Sequence, residues 1–229
     1  MDNNNKIWVM SLGGSRIVPG RIDVKFLREF KRIILSHKKY KFVVVTGGGN
    51  TARLYMDALK NLGIKRDILG KEGVSITRHH ALFMMKYFGE VANDDLPLGK
   101  RRVRNLLLKN RVVFCGALRH IKNNTTDGTA AELAEYFECP LINFTNVKGL
   151  YTKDPKNFVD AEFIPKVSWK KFNDIALKIK YKAGQHFVLD QNAAKRIMKK
   201  KIDTYIVGSL KSFENILKGE KFVGTIISG

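Results

Sequence analysis

The sequence predicts an α/β protein, a three-layer αβα sandwich around a mainly parallel sheet. Short apolar runs alternate along the chain with segments of helical periodicity. Three of those runs end in loops rich in glycine and threonine that open directly into helices. No internal repeat or low-complexity tract interrupts the alternation. Strand, turn and helix in succession make parallel neighbours covered on both faces, so the strands read as unbroken apolar runs.

The elements follow in order. Ile7–Leu12 is a short apolar run ending in Gly13-Gly14, a buried strand and a tight turn. Asp23 is placed to cap a helix carrying Phe26, Leu27, Phe30, Ile33 and Ile34 on one face. Lys41–Thr46 is a second buried strand, running into Gly47-Gly48-Gly49 and a helix from about Asn50 to Leu62. A further helix is expected over Val74–Phe88 and a basic one over Lys100–Leu108. Val112–Phe114 is a third strand, Asp127–Phe137 a helix and Leu141–Phe144 a fourth strand. Val147–Pro165 is polar and holds Pro155 and Pro165; it divides one compact unit into two halves that share a sheet. Helices are expected over Ser168–Leu177 and Asp190–Lys200, then strands Thr204–Val207 and Thr225–Ile227.

A chain of 229 residues buries enough surface to need no covalent staples. With 44% hydrophobic and 28% charged residues, it is excluded from the disordered, collagenous and coiled-coil classes. Its two cysteines, Cys115 and Cys139, form no framework and no Cys-x-x-Cys pair. No apolar run nears the roughly 18 residues of a membrane span, and the polar start is unlike a signal peptide. The expectation is a reduced, soluble, cytoplasmic protein with no membrane partner. The charge is the outlier: 42 Lys and Arg against 21 Asp and Glu leave a net +21. Such a field attracts polyanions: nucleic acid, an acidic membrane face or nucleotides. The basic residues are dispersed, with clusters only at Lys100–Arg104 and Lys199–Lys201, and lack the interleaved aromatics of a base-stacking platform, so nucleic acid is possible but not favoured.

The chemistry is expected in the loops Ser11–Ser15, Thr46–Arg53 and Thr125–Thr129. Glycine lets backbone N–H groups approach a phosphate, and a helix N-terminus adds unpaired donors and positive potential. In a parallel sheet these loops share the C-terminal edge, where three of them could hold two phosphate groups face to face. None is a Walker A motif or a G-x-G-x-x-G. Arg53 lies in the first turn of its helix, against the helix dipole, which suits either a phosphate in front of it or simple solvent exposure. Thr77-Arg78 reads as an anion contact or an ion pair. His79 and His80 read as packing or surface residues, since no partner has metal-ligand spacing, and no protein-only metal site is expected. Asp127 is a helix cap, or a carboxylate that organises cationic groups between phosphates.

The segments SLGGS (11–15), VVTGGGNTARLY (44–55), ITR (76–78), TTDGTAAELAE (125–135), TNVKGLYTKDPK (145–156), AG with LDQNAAKRI (183–197) and GTII (224–227) stand in an order that resembles the UMP kinases of the archaeal type, within the amino-acid-kinase (carbamate-kinase-like) fold. The resemblance spans nearly the whole chain. It implies one domain with an N-terminal acceptor-binding lobe (1–140) and a C-terminal ATP-binding lobe (141–229). It implies ATP-dependent phosphorylation of UMP to UDP with Mg2+, and a homo-oligomer, usually a hexamer. By the same resemblance, Ser11, Leu12, Gly13, Gly14, Ser15, Gly49, Arg53, Thr145, Tyr151 and Asp154 would bind ATP. Gly48, Asp67, His120, Ile121, Lys122, Asn123, Asn124, Thr125 and Thr126 would bind UMP. Arg53, Asp127 and Asp190 would serve the transfer itself. The chain departs from the family in three places. Ser11 stands where many members of the wider fold carry lysine, the segment between Asp67 and Gly73 is longer by about three residues, and Ala117–Asn124 is longer and more basic than the usual Pro-Gly loop. A kinase of the same fold with another phosphorylated acceptor, and a basic nucleic-acid-binding protein without catalysis, are the two competing readings.

Overall fold

A computed structural model describes residues 6–120, 125–178 and 189–229. In chain order the elements are β1 (Lys6–Leu12), α1 (Gly14–Ile17), α2 (Val24–Ser36), β2 (Tyr40–Thr46), α3 (Gly49–Asn61), α4 (Arg66–Phe88), α5 (Lys100–Lys109), β3 (Val112–Cys115), α6 (Thr126–Phe137) and β4 (Leu141–Phe144). They continue as β5 (Leu150–Tyr151), β6 (Phe163–Ile164), β7 (Lys166–Val167), α7 (Trp169–Lys178), α8 (Gln191–Lys200), β8 (Thr204–Val207), α9 (Leu210–Lys218) and β9 (Thr225–Ile227). One seven-stranded sheet has the order β3-β2-β1-β4-β8-β9-β7, and β5 and β6 form a separate hairpin. All pairings in the large sheet are parallel except β8 with β9.

The two-residue period of the strands sorts their side chains onto two cores. Trp8, Met10, Leu12, Phe42, Val44 and Phe114 face one side, where α2, α4 and α9 cover them with Phe30, Met84 and Phe213. Val9, Val43, Val45, Val113 and Cys115 face the other, beneath α5, α6, α7 and α8. The first core is aromatic: the Phe30 ring lies within 6.2 Å, centroid to centroid, of Phe26, Phe88, Phe144 and Phe213. This is the three-layer sandwich expected from the sequence.

Strand order places the working edge. From β1 the chain moves outward through β2 to β3, then returns to lay β4 on the opposite flank of β1. The loops after β1 and β4 therefore diverge, and an open α/β sheet leaves a crevice at that switch point. β4 pairs with both β1 and β8, so a single sheet runs through the junction at residues 140/141.

The structure changes several expectations, and β7 is among the strands the sequence did not predict. The helix expected from Val74 begins at Arg66 and runs 23 residues. Gly70 and Gly73 hid its first turns, because glycine costs about 1 kcal/mol in a helix interior. They serve packing instead: a Cβ on Gly70 would overlap the His120 ring, and one on Gly73 would press on Met56 Sδ at 3.1 Å. Helix α9 was unforeseen, although Ser209 caps it by accepting from Ser212 N, and Phe213, Ile216 and Leu217 form its buried stripe. The polar segment 147–165 contributes the β5–β6 hairpin, held by pairing Leu150 with Ile164 and Tyr151 with Phe163. The short α1 turn also follows β1 directly. Among the described residues, no helix is long and apolar enough to cross a membrane.

Candidate active site

Two glycine loops meet at the C-terminal edge of β1 and β2. Gly47 N donates to Leu12 O at 2.9 Å, which fixes the start of the second loop against the end of the first. Beyond this the backbones touch. A Cβ on Gly14 would lie 2.5 Å from Gly47 O, from Gly48 C and from Gly49 N. A Cβ on Gly49 would lie 2.5 Å from Gly14 C and Ser15 N, and Gly49 also has φ +57°, the left-handed region that favours glycine. Thr126 joins them, with its Oγ1 3.3 Å from where a Gly47 Cβ would stand. The three loops singled out in the sequence thus share one rim, each ending at a helix start.

Two hydroxyl and two carboxylate side chains lock that rim. Ser11 Oγ donates to Asp127 Oδ1 at 2.6 Å. Thr125 Oγ1 donates to Asp190 Oδ2 and accepts from Asp127 N at 3.1 Å. Asp190 Oδ1 accepts from Ala193 N at 2.8 Å, capping α8. Thr125 is therefore the cap of α6, a role first given to Asp127, and its hydroxyl is engaged within the protein. Burial, together with the charge of Asp190, pushes the Asp127 carboxyl up to about 7, while the Ser11 hydrogen bond pulls it down.

On one side of Asp127 is a cavity of about 460 Å³, a size suited to a nucleotide. Gly13, Ser15, Thr145, Tyr151 and Asp154 all line it. Tyr151 is set by its ring packing on Phe163 at 5.4 Å. Asp154 ties the turn, accepting from Lys156 N and Asn157 Nδ2, both at 3.0 Å. Lys153 and Lys156 also line this cavity and had not been singled out in the sequence. Leu12 is fully buried in the first core and Ser11 nearly so, which leaves Ser11 its contact with Asp127. Arg53 is held at the loop by donating to Asn50 Oδ1. Arg16, the nearest cation in sequence to the first loop, is turned onto the Phe26 ring at 4.6 Å.

Of the residues expected on the acceptor side, Thr125 and Thr126 stand at the start of α6, while Gly48, Asp67 and His120 lie on or against α4. A Cβ on Gly48 would lie 3.6 Å from Gly73 O and from Thr77 Cγ2. His120 lies against Gly70, one turn along α4 from Asp67. Asp67 itself is exposed and pairs with Lys71 at 3.3 Å. Ile121, Lys122, Asn123 and Asn124 lie outside the described residues.

A clamp of α4 residues fixes both loops from behind. His80 Nδ1 donates to Gly47 O at 2.7 Å. Burial first, and His79 to a lesser degree, hold its pKa below the ordinary histidine value despite that bond. Arg78 donates to the carbonyls of Ala117 at 3.1 Å and Leu118 at 2.9 Å. Thr77 Oγ1 accepts from Ala117 N at 3.0 Å. Among the described residues Arg78 has no carboxylate partner; two of its donors make it the strut of the loop leading to His120. No sequence spacing could reveal this, because its partners are backbone carbonyls about 40 residues away.

Two outcomes follow from this geometry. In the ligand-free protein the raised Asp127 pKa means the native state holds a proton that the unfolded chain releases, so this group's contribution falls as pH rises from about 4 through 7. Asp127→Asn should therefore melt a few degrees above the parent at pH 8, the gain shrinking toward zero by pH 4.5, as read by calorimetry at both values. Arg78→Ala should raise the acceptor KM about tenfold or more while the KM for the phosphoryl donor stays within about twofold, and Arg78→Lys should rescue only partly, because one ammonium cannot span two carbonyls in a fixed fork.

The comparisons agree with this geometry. The family model of the amino acid kinase family matches residues 6–208. A uridylate kinase of Thermoplasma volcanium is 33% identical over 225 residues, 97% of this chain and 98% of that protein. A uridylate kinase of Methanopyrus kandleri is 33% identical over 228 residues, 96% of this chain and 99% of that protein. The crystal structure of uridylate kinase from Archaeoglobus fulgidus superposes with a TM-score of 0.84 at 32% identity, covering 96% of this chain and 99% of that one. Sheet order, glycine rim and the extent of these matches lead to one placement: this chain belongs to the amino acid kinase family.

Proposed function

We propose that the protein transfers the γ-phosphoryl group of ATP to UMP, giving ADP and UDP. The observation that carries this reading is the single rim on which both glycine loops, Thr126, Asp127 and Asp190 converge, with a nucleotide-sized cavity on one side and the Gly48–His120 side on the other. The full-length similarity to proteins named uridylate kinase supports UMP as the acceptor. In this reading residues 141–229 supply the adenine and ribose contacts of ATP and residues 1–140 hold the acceptor, as two lobes of one domain.

The transfer needs alignment and charge neutralisation more than covalent help. An oxygen of the UMP phosphate attacks the γ-phosphorus, the bond from that phosphorus to the β–γ bridging oxygen breaks, and ADP carries away the electron pair. Backbone N–H groups of Gly13–Ser15 and Gly49 line the phosphates of ATP at the starts of α1 and α3. Arg53, held by Asn50, faces the negative charge that develops in transit. Ser11 and Thr125 hold the two carboxylates in place, which is why a serine rather than a lysine suits position 11.

Among the described residues no three His, Cys, Asp or Glu side chains are grouped to hold a metal by themselves. The Asp127–Asp190 pair nevertheless fits a hard cation that arrives on the substrate, since Mg2+ keeps much of its shell as water and phosphate oxygen, and since two neighbouring carboxylates gain from a shared cation. Held by Asp127 and Asp190, Mg2+ would supply positive charge to neutralise the phosphates during transfer.

We further infer a homo-oligomer acting in the cytoplasm. Leu54 and Tyr55 on α3, Leu62 just beyond its end, and Ile68 on α4 leave apolar surface exposed on adjacent helices, which supports self-association through that face. Both cysteine thiols are pushed up to about 12 by burial, which suits a reducing compartment where they stay inert.

Steady-state assays with ATP and Mg2+ across UMP, CMP, dTMP and isopentenyl phosphate test the reaction. UMP should give the highest kcat/KM; faster turnover of another acceptor would reassign the specificity, and no turnover of any would remove the kinase reading. Arg53→Ala should lower kcat by about 10³-fold or more, as loss of a transition-state cation does in other phosphoryl-transfer enzymes, with thermal stability little changed.

A further inference from the structure

A second cavity, of about 550 Å³, opens between α6 and α8 and shares no lining residue with the nucleotide-sized cavity above. Helix α6 contributes Glu132 and Glu135 to its wall, α8 contributes Lys195, Arg196, Lys199 and Lys200, and Arg119 enters from the loop after β3. Lys195 with Lys199, and Arg196 with Lys200, are each four residues apart, so successive turns of α8 aim cations along one face.

Both carboxylates are already engaged. Glu132 Oε1 meets Lys100 Nζ at 3.2 Å and Arg119 Nη2 at 3.3 Å, with only 11% of its side chain exposed. Glu135 meets Arg196, and Lys200 Nζ at 3.0 Å. Each carboxylate thus holds two cations in place from beneath and leaves their remaining donors toward the opening. Lys195 and Lys199 have no carboxylate partner among the described residues and stand exposed at the same face. The lining carries an excess of three positive charges. An isolated surface of like charges would repel itself; here the buried Glu132 and the half-buried Glu135 fix the cations at short range along an open groove, which lowers the reorganisation an arriving anion would otherwise require.

We propose that this groove is a second anion site, separate from the catalytic cleft, which takes a compact polyanion of three or more charges such as a triphosphate chain. The volume matches one such group with its attached moiety. Among the described residues no aromatic side chain lines the groove, so they offer no platform on which the bases of a nucleic-acid strand could stack. The site also accounts for the cluster Lys199-Lys200, which the transfer chemistry does not use. It goes beyond the proposed reaction, and its test reads binding alone, so the loss of either idea leaves the other standing.

Inorganic tripolyphosphate is titrated calorimetrically into the full-length protein at about 0.15 M salt, where weak surface attraction is largely screened. ATP and UTP are run beside it to tell a phosphate-chain site from a nucleotide site. Lys195→Ala/Lys199→Ala removes the two free cations at exposed positions and should leave turnover and Tm near those of the parent. Lys38→Ala/Lys39→Ala removes the same charge from exposed positions on the turn between α2 and β2. The expected result is a binding class, shared by tripolyphosphate and both nucleotides, whose Kd rises about tenfold or more in the groove variant, about 1.4 kcal/mol, and stays within about twofold in the control. Parent-like affinity in the groove variant, or equal weakening in both variants, would overturn the site in favour of the catalytic cleft or bulk charge. A short single-stranded RNA that displaces tripolyphosphate and loses affinity in the same variant would overturn it in favour of a nucleic-acid surface.

Discussion

The contact between two backbones at the C-terminal rim is the constraint on which the site depends. Gly14 and Gly49 approach so closely that neither position has room for a Cβ. This closeness brings the starts of α1 and α3 side by side, and with them two sets of unpaired N–H groups facing the same space. A larger residue would push the loops apart and divide one anion-binding rim into two weak ones. The aromatic core behind the rim, centred on Phe30, and the strand register of β1 against β2 keep the loops from relieving the approach by sliding. The close approach at the rim is therefore held by the packed sheet rather than by the loops themselves.

The same rim carries an electrostatic cost. Asp127 is pushed toward neutrality by burial and by Asp190, and the ligand-free protein tolerates that unfavourable pair next to its glycine loops. Such arrangements concentrate where charge must be organised during a reaction. The hydrogen bonds from Ser11 and Thr125 prevent the carboxylates from swinging away to relieve the repulsion. A lysine in place of Ser11 would relieve it permanently; serine holds the geometry and leaves the charge available to the substrates.

Behind the rim, α4 works as a fixed frame. His80 holds Gly47, Arg78 holds Ala117 and Leu118, and Thr46 Oγ1 donates to Thr77 O at 2.8 Å and to Cys115 O at 3.2 Å. Three loop carbonyls, those of Gly47, Ala117 and Leu118, are met by His80 and Arg78, which ties the glycine loop and the loop toward His120 to one helix.

Local pattern alone determined the α/β class, most of the strands and helices, and the three loops that carry the chemistry. Those features depend on hydrophobic period, on Asp23 or Asp190 preceding an apolar stripe, and on glycine at strand ends, all of which are written within a few neighbouring residues. The first turns of α4 stayed hidden because Gly70 and Gly73 answer to His120 and Met56 across the fold rather than to helix propensity. Thr125 displaced Asp127 as the cap of α6 for a like reason: its partner Asp190 comes from a segment 65 residues away. The strut role of Arg78 and the cation-lined groove between α6 and α8 were decided by tertiary structure alone, since backbone carbonyls and paired glutamates meet only after the sheet has brought distant helices together.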